Sequence, residues 1–281
     1  MLKIIFITLI VLFVSSCTKD ISINIANTSS KIVVNSFFAP QDSLLINISK
    51  TISILATDTL NYVNNASVEL FNGASSIGKL TYIQNGFYTL PTKLMPQGGY
   101  SVKVSVPDMD TVTSQDTIPV TVPILSIDTV TLNNTNLYCE IKFQDNAKTS
   151  NYYLLDVTSK YPVQNDTILS KQVKIIVSNN IVEDGSIGDT CQRIFFSNEK
   201  IKNKLFQLSF ILNKETILRS LKNNSNTLYI NFKTISQNYY KYLTTYYLSQ
   251  TSQMDIYSNI VNGYGIFAGY NLSQDSIVIK R

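Results

Sequence analysis

The order of apolar and polar positions predicts a chain that is mainly β-strand. Between residues 31 and 121, short β-branched or alternating segments are separated by turn signals such as Asn72-Gly73 and Gln84-Asn85-Gly86. Apolar residues at every second position place one face of a strand against a core. About seven such segments, with turns every eight to twelve residues, are typical of a β-sandwich. The predicted strands here include 31–38, 44–49, 66–71, 78–83, 86–90 and 100–106.

A second β-rich part follows a proline-containing connection. The segment 114–123 holds Pro119 and Pro123 and is predicted to join two domains. The expected fold class is therefore mainly β, with two tandem β-sandwiches of Ig-like or transthyretin-like type over residues 31–121 and 122–281. Strands of the second part are predicted at 125–132, 137–143, 152–158, 171–177, 193–197, 205–212 and 227–235.

One segment of the second part departs from the β pattern. Tyr239, Tyr242, Leu243, Tyr246 and Tyr247 stand at positions i, i+3, i+4, i+7 and i+8, which lie on one face of an α-helix. Ser at position 236 is a suitable N-cap. The sequence therefore predicts a helix at about 236–250 that packs an aromatic face on the second sheet.

The N-terminus has the layout of a lipoprotein signal peptide. Lys3 precedes an apolar run from Ile4 to Val14, which only Thr8 interrupts, and two small serines come directly before Cys17. This pattern predicts cleavage after residue 16, acylation of Cys17 and a tether over 17–30. This run of 11 residues is shorter than the about 20 apolar residues that span a bilayer, so a transmembrane anchor is disfavoured. A buried first strand is the remaining alternative.

Composition narrows the range of functions. The chain is 44% hydrophobic and 15% charged, with a net charge of +4 and no long basic run, so nucleic acid is not an expected partner. Histidine is absent, which removes the commonest general base and the commonest transition-metal ligand. The sequence predicts no catalytic residue, no cofactor and no metal site. A hydrolase that relies on paired carboxylates is the weaker enzymatic alternative.

The two internal cysteines have two interpretations. An exported chain lies in a compartment that permits disulfides. Spacing alone cannot establish the geometry that a disulfide needs. The sequence therefore leaves open whether Cys139 and Cys191 are bridged or remain separate thiols.

Glycines and tyrosines near the C-terminus provide the remaining candidate sites. The glycines of 263–269 could cradle a phosphate, but no Lys-Ser or Lys-Thr follows, so tight backbone packing is the preferred interpretation. Helical periodicity assigns the tyrosines of 239–247 mainly to a core. Tyr264 and Tyr270, beside these glycines, are the predicted contacts for a partner or ligand.

The same C-terminal region resembles the closing signature of a Bacteroidota lipoprotein family, the domain-of-unknown-function family numbered forty-two forty-nine. The tyrosine pair lies in the helix, a Ser-Asn-Ile segment follows, and a Gly-x-Gly-Ile-Phe-x-Gly segment comes next. The matching residues are Tyr239, Tyr240, Ser258, Asn259, Ile260, Gly263, Gly265, Phe267 and Gly269.

The resemblance implies an outer-membrane lipoprotein, anchored through Cys17, that is often encoded beside a TonB-dependent receptor. It implies no catalytic residue, because no activity is established for the family. We therefore expect a non-enzymatic accessory or ligand-capturing partner of such a receptor. It would be lipid-anchored in the outer membrane and displayed at the cell surface, with the periplasmic face as the alternative. A structural or adhesive surface module is the alternative.

Overall fold

The structure is a computed structural model that describes residues 29–53, 61–133, 135–145, 149–162, 168–178, 188–201, 205–215, 217 and 225–280. The predicted signal peptide, Cys17 and most of the predicted tether lie outside the described residues. Within the described ranges, no helix combines the length and the apolar character that crossing a bilayer requires.

The first sandwich pairs a four-stranded sheet with half of a ten-stranded sheet. The four-stranded sheet has the order β5-β4-β8-β9, and the facing half of the larger sheet has the order β1-β2-β7-β6, with β3 beside β2. Their inner faces form one core, in which residues such as Val34 and Ile46 pack with Val68 and Val102. The strands are β1 Ile32–Phe38, β2 Leu44–Lys50, β3 Asn61–Tyr62, β4 Ser67–Asn72, β5 Ser75–Lys79, β6 Thr81–Gln84, β7 Phe87–Leu90, β8 Gly99–Ser105 and β9 Val112–Thr117.

The second sandwich pairs a five-stranded sheet, β10-β11-β17-β14-β15, with the other half of the ten-stranded sheet, β13-β12-β18-β19, where β16 also pairs with β12. Its core includes Cys139 and Phe210 from one sheet and Leu155 and Ile230 from the other. The strands are β10 Ser126–Thr131, β11 Asn136–Gln144, β12 Tyr152–Pro162, β13 Ile168–Val173, β14 Ile175–Val177, β15 Thr190–Cys191, β16 Arg193–Ser197, β17 Leu205–Asn213, β18 Ser225–Ile235 and β19 Tyr264–Lys280, and a short 3-10 helix covers Asn198–Lys200.

Strand β19 belongs to both sandwiches. Its first part, from Tyr264 to Gly269, lies parallel to β1. Its second part, from Tyr270 to Lys280, lies antiparallel to β18. The ten-stranded sheet is therefore continuous across the predicted boundary between residues 121 and 122, and the chain that follows the helix returns to the first sandwich.

The helix, here called α1, spans Gln237–Ser249 and confirms the helix predicted at about 236–250. The side chain of Ser236 accepts a hydrogen bond from the Tyr239 amide at 3.1 Å, as expected of an N-cap. Tyr239 and Leu243 are its buried residues. They pack with Leu154, Phe195, Ile235, Ile266 and Ala268 on the outer face of the ten-stranded sheet.

Two predicted segments differ in the structure. The arm predicted at 78–83 is divided between β5 and β6, which belong to different sheets, because the buried Leu80 between them turns into the core. The connection predicted at 114–123 begins inside β9, and the part after it is held against the second sandwich. The amide of Val122 donates to Thr234 Oγ1 at 3.1 Å, and the Asn271 side chain donates to Pro119 O at 3.2 Å.

Candidate functional site

The Ser-Asn-Ile segment completes the hydrogen bonds of β19 where β18 does not reach it. Asn259 Oδ1 accepts from the Phe267 amide at 3.0 Å, and Asn259 Nδ2 donates to Phe267 O at 2.8 Å. The Asn259 side chain thus replaces a neighbouring strand for one residue. Ser258 Oγ accepts from the Ile260 amide at 3.2 Å, which shapes the same segment. The Phe267 ring is buried and lies 4.4 Å from the Phe38 ring, centroid to centroid.

The three signature glycines allow neighbouring backbones to approach closely. A Cβ atom on Gly263, Gly265 or Gly269 would lie within 2.6 Å of a backbone carbonyl oxygen, and at Gly265 it would lie 2.1 Å from Val34 O. Gly265 also has φ +108°, which L side chains rarely adopt. The segment is strand rather than a phosphate loop, and the amides of Phe267 and Gly269 already donate to protein acceptors.

Asp116 joins three elements at the start of α1. Its carboxylate accepts hydrogen bonds from Ser236 Oγ, from Asn238 Nδ2 at 3.1 Å and from the Gly269 amide at 2.9 Å. Burial raises the pKa of Asp116, although these hydrogen bonds oppose the shift. Asp116 lines two clefts, of about 460 Å³ and 480 Å³. Since three donors occupy the carboxylate, we interpret Asp116 as a structural connection between β9, α1 and β19.

A large cleft lies beside α1. It has a volume of about 760 Å³, and we call it the tyrosine groove. Residues of β1, of β15 and β16, and of α1 contribute to it, so it extends over the outer face of the sheet. Its lining includes Phe37, Arg193, Tyr242, Tyr246, Tyr247 and Gln250.

Aromatic rings around the tyrosine groove are fixed by stacking on one another. The Phe37 ring stacks on Tyr239 with centroids 4.4 Å apart and an interplanar angle of 26°. Tyr242 and Tyr246, one helical turn apart, are stacked at 6.1 Å and 22°. Phe37 and Tyr246 are each 41% exposed. The groove therefore offers preoriented aromatic surface to solvent at little cost in side-chain entropy.

A row of charged and hydroxyl groups lies on the sheet beside the tyrosine groove. Lys233 Nζ lies 2.6 Å from Asp156 Oδ2, and Asn231 Nδ2 donates to Asp156 Oδ1 at 2.8 Å. Lys233 Nζ also lies 5.5 Å from the centroid of the Tyr270 ring. The Tyr270 hydroxyl donates to Asp42 Oδ2 at 3.1 Å. This row links the second sandwich to the turn between β1 and β2.

Arg193 connects this row to the tyrosine groove. It lies opposite Asp156 in the pairing of β12 with β16, and its side chain lines the groove. Burial raises the pKa of Tyr239, whereas the positive charge of Arg193 acts in the opposite direction. The guanidinium group of Arg193 is thus close enough to the Tyr239 hydroxyl to interact with it electrostatically.

The two tyrosines predicted as contacts have different surroundings. Tyr264, the first residue of β19, is 55% exposed but is not part of the groove lining. Tyr270 is half-buried, its hydroxyl is bonded to Asp42, and its ring lies 6.4 Å from that of Tyr239. Burial is the main cause that raises the pKa of Tyr270. The structure does not bring the two side chains together at one site.

A disulfide between Cys139 and Cys191 does not fit the structure. Cys139 lies on β11 and Cys191 on β15, and the sheet order places β17 and β14 between them. Three interstrand spacings are about 14 Å, whereas bridged Cα atoms lie within about 7 Å. Among the described residues, no disulfide joins the two. Cys139 is buried, and the loss of hydration raises the pKa of its thiol to about 12.

The buried carboxylates bind donors of the protein itself. Asp145 is 2% exposed and accepts from the Tyr153 hydroxyl at 2.5 Å and from Asn151 Nδ2 at 3.0 Å. Asn198 Nδ2 donates to both Asp145 oxygens, at 3.2 Å and 3.1 Å. Asp156 is held by Lys233 and Asn231, as described above. In the part of the chain that the structure describes, no group of three or more His, Cys, Asp or Glu residues could hold a metal ion.

Sequence reasoning did not find Phe37, Arg193, Asp156 or Lys233 as parts of a site. Asp156 and Lys233 do carry a local signal, since each is a charged residue within an otherwise apolar or β-branched strand. Phe37 carries none, because nothing in KIVVNSFF indicates that α1 would stack upon it. The role of Arg193 depends on the packing of α1 beside β16. Tyr239 of α1 lies 46 residues after Arg193 in the sequence, so no local pattern predicts this contact.

The fold of this chain is distantly similar to the folds of some solved structures. The chain is similar to the FN1–FN3 domains of chicken CNTN1, with 14% identity, 90% of this chain and 67% of that chain covered, and a TM-score of 0.29. It is also similar to three N-terminal domains of the Highly Immunogenic Outer Capsid protein (Hoc) of bacteriophage RB49, with 10% identity, 86% and 69% covered, and a TM-score of 0.24. At these scores neither similarity bears on function. No curated protein matches the chain significantly.

A family model gives a match over most of the sequence. The match covers residues 18–276, and so includes the helix, the Ser-Asn-Ile segment and most of β19. The signature residues that suggested a family from the sequence lie within it. The chain belongs to the family described as Domain of unknown function (DUF4249).

Proposed function

We propose that this protein is a lipid-anchored, non-enzymatic binding protein of the outer membrane that captures a ligand for a TonB-dependent receptor. The tyrosine groove is the observation that carries the binding part of this proposal. This cleft has a volume of about 760 Å³ and combines exposed aromatic rings with polar side chains. Clefts of this size and mixed lining are typical of ligand sites.

The anchoring part of the proposal comes from the sequence. The apolar run of residues 4–14 and the two serines before Cys17 have the form of a lipoprotein signal. A diacylated or triacylated cysteine supplies the two or more chains that stable membrane attachment needs. The tether predicted at 17–30 would then connect the lipid to the first sandwich.

The chemistry of the described residues favours binding over catalysis. The chain has no histidine. Asp116, Asp145 and Asp156 each accept hydrogen bonds from protein donors. A glycosidase needs two carboxyl groups that face each other across an open cleft. The described lining of the tyrosine groove contains one carboxyl group, that of Asp189.

Lipid labelling tests the anchor. Cells that express the full chain are grown with radiolabelled palmitate, and outer membranes are compared between the native chain and Cys17→Ser. We expect label in the native chain alone. Label that persists in Cys17→Ser would refute acylation at this residue.

Copurification tests the partner. The native chain is crosslinked in its own host, solubilised from outer membranes and purified, with Cys17→Ser as the control that lacks the anchor. We expect a TonB-dependent receptor in the native sample at near-equal amount. A native chain that purifies without a receptor would contradict this partnership. If deletion of its gene also impairs attachment and leaves nutrient uptake normal, the protein is an adhesive module instead.

A further inference from the structure

We infer that the tyrosine groove binds a neutral oligosaccharide chain. This deepens the proposed function, since it names the class of ligand that the same site would capture. The inference comes from the arrangement of rings, polar groups and charge along the groove.

The rings present flat apolar surface in the form that sugar rings require. Pyranose rings have an apolar face of C–H groups that packs on aromatic rings and an edge of hydroxyls. Tyr242 and Tyr246 are nearly parallel, with an interplanar angle of 22°. Phe37 is stacked on Tyr239 by one face, which holds its ring in place. Aromatic surface that is fixed before binding loses little entropy when a ligand stacks on it.

Polar groups accompany the rings and include both donors and acceptors. The amide of Gln192 can donate and accept, and Thr190 adds a hydroxyl. Gln250 Nε2 already donates to Tyr246 O at 3.3 Å, so Gln250 offers its Oε1 as an acceptor. A purely apolar ligand would leave these groups without water or a partner, which costs free energy. The hydroxyl edge of a sugar can satisfy them.

The charges of the lining argue for a neutral ligand. Asp189 and Arg193 both line the groove, so one negative charge offsets one positive charge. A polyanionic chain would have to approach Asp189, and a polycationic chain would have to approach Arg193. Among the lining residues that the structure describes, neither kind of chain has a surface of uniformly opposite charge.

The extent of the groove favours a chain over a single sugar. Phe37 lies on β1 and Arg193 on β16, with β19, β18 and β12 between them in the sheet. Four interstrand spacings correspond to about 19 Å. The cleft is lined from both β1 and β16 and has a volume of about 760 Å³, which is more than one sugar ring fills, so linked rings can be accommodated.

Calorimetry with defined sugars tests the inference. The full chain, purified in detergent, is titrated with maltohexaose, cellohexaose and mannohexaose, and for comparison with hexagalacturonate and a Gly-Ser hexapeptide. We expect at least one neutral hexasaccharide to bind. Tyr246→Ala should weaken that binding about tenfold or more, whereas Tyr246→Phe, which keeps the ring, should weaken it about twofold or less.

Tyr82 provides a matched control. It is 40% exposed, close to the 41% of Tyr246, and lies on β6 away from the groove. Tyr82→Ala should leave the affinity within about twofold. The inference fails if no neutral hexasaccharide binds, if only the galacturonate or the peptide binds, or if Tyr82→Ala and Tyr246→Ala weaken binding equally. Since the titration needs neither lipid nor receptor, it can fail while labelling and copurification succeed, and the reverse also holds.

Discussion

Asn259 gives the sharpest test of how this fold is held together. Strand β19 pairs with β1 on one side from Tyr264 to Gly269, but β18 reaches its other side only from Tyr270 onward. On the uncovered side, the Asn259 side chain bonds both the amide and the carbonyl of Phe267. Asn259→Ala removes both partners and leaves the backbone otherwise unchanged.

The expected cost follows from these two hydrogen bonds. Phe267 is 0% exposed, so its orphaned backbone groups gain little from water. An unsatisfied buried donor or acceptor costs about 1–3 kcal/mol each. We therefore expect Asn259→Ala to lower the free energy of unfolding by about 2–4 kcal/mol. The amide of Phe267 should exchange its hydrogen faster by a comparable factor, roughly 30-fold or more.

Urea unfolding followed by circular dichroism measures this cost from the shift of the midpoint at constant slope. Asn47→Ala is the matched control, because the Asn47 amide makes one exposed hydrogen bond, to Asn85 O at 3.0 Å. It should cost about 0.5–1 kcal/mol or less. Equal midpoints for Asn259→Ala and Asn47→Ala would refute the reasoning that Asn259 replaces a strand.

Three further predictions concern single residues. Gly265→Ala should lower the free energy of unfolding by more than about 3 kcal/mol, because its Cβ would lie 2.1 Å from Val34 O. The control Gly73→Ala, also at positive φ but with nothing within 4 Å, should lower it by about 1 kcal/mol. Equal costs in urea unfolding would contradict the close approach at Gly265. In a variant whose other two cysteines are serine, Cys139 should react with a thiol reagent only after denaturation, because burial raises the pKa of its thiol to about 12. Rapid reaction of the folded protein would contradict the burial of this thiol. Burial also raises the pKa of Asp116, so its contribution to stability is fully present below the unfolded value of about 3.9 and is lost as pH rises through the folded value. Comparative urea unfolding should therefore show a larger stability advantage of the native chain over Asp116→Asn near about pH 4 than near about pH 7, and an advantage that grows with pH would show that hydrogen bonds outweigh burial.

Part of the candidate site was accessible from the sequence. The helical spacing of Tyr239, Tyr242 and Tyr246 predicted one aromatic face, and the structure packs Tyr239 against the sheet as the buried member. The same spacing does not tell which tyrosines remain exposed, because that depends on the width of the surface beneath α1. Tyr246 lies beyond that surface and is 41% exposed, so it lines a groove instead of a core.

Features that depend on near neighbours in the chain were predictable from the order of residues. Alternation of apolar residues specified the strands, periodicity and Ser236 specified α1, and the glycine-rich segment indicated tight backbone packing. These follow from local geometry, because side chains repeat every two residues in a strand and every 3.6 in a helix.

Contacts between segments that are distant in the sequence became visible only in the folded structure. The parallel pairing of β1 with β19, the hydrogen bonds of Asp116 to the start of α1 and the separation of Cys139 from Cys191 have no local signal. The tyrosine groove likewise exists because Phe37, Arg193 and Tyr246 meet on one face of a shared sheet. The physical reason is that backbone pairing and burial depend on which surfaces meet, and the same alternating pattern is compatible with several strand orders.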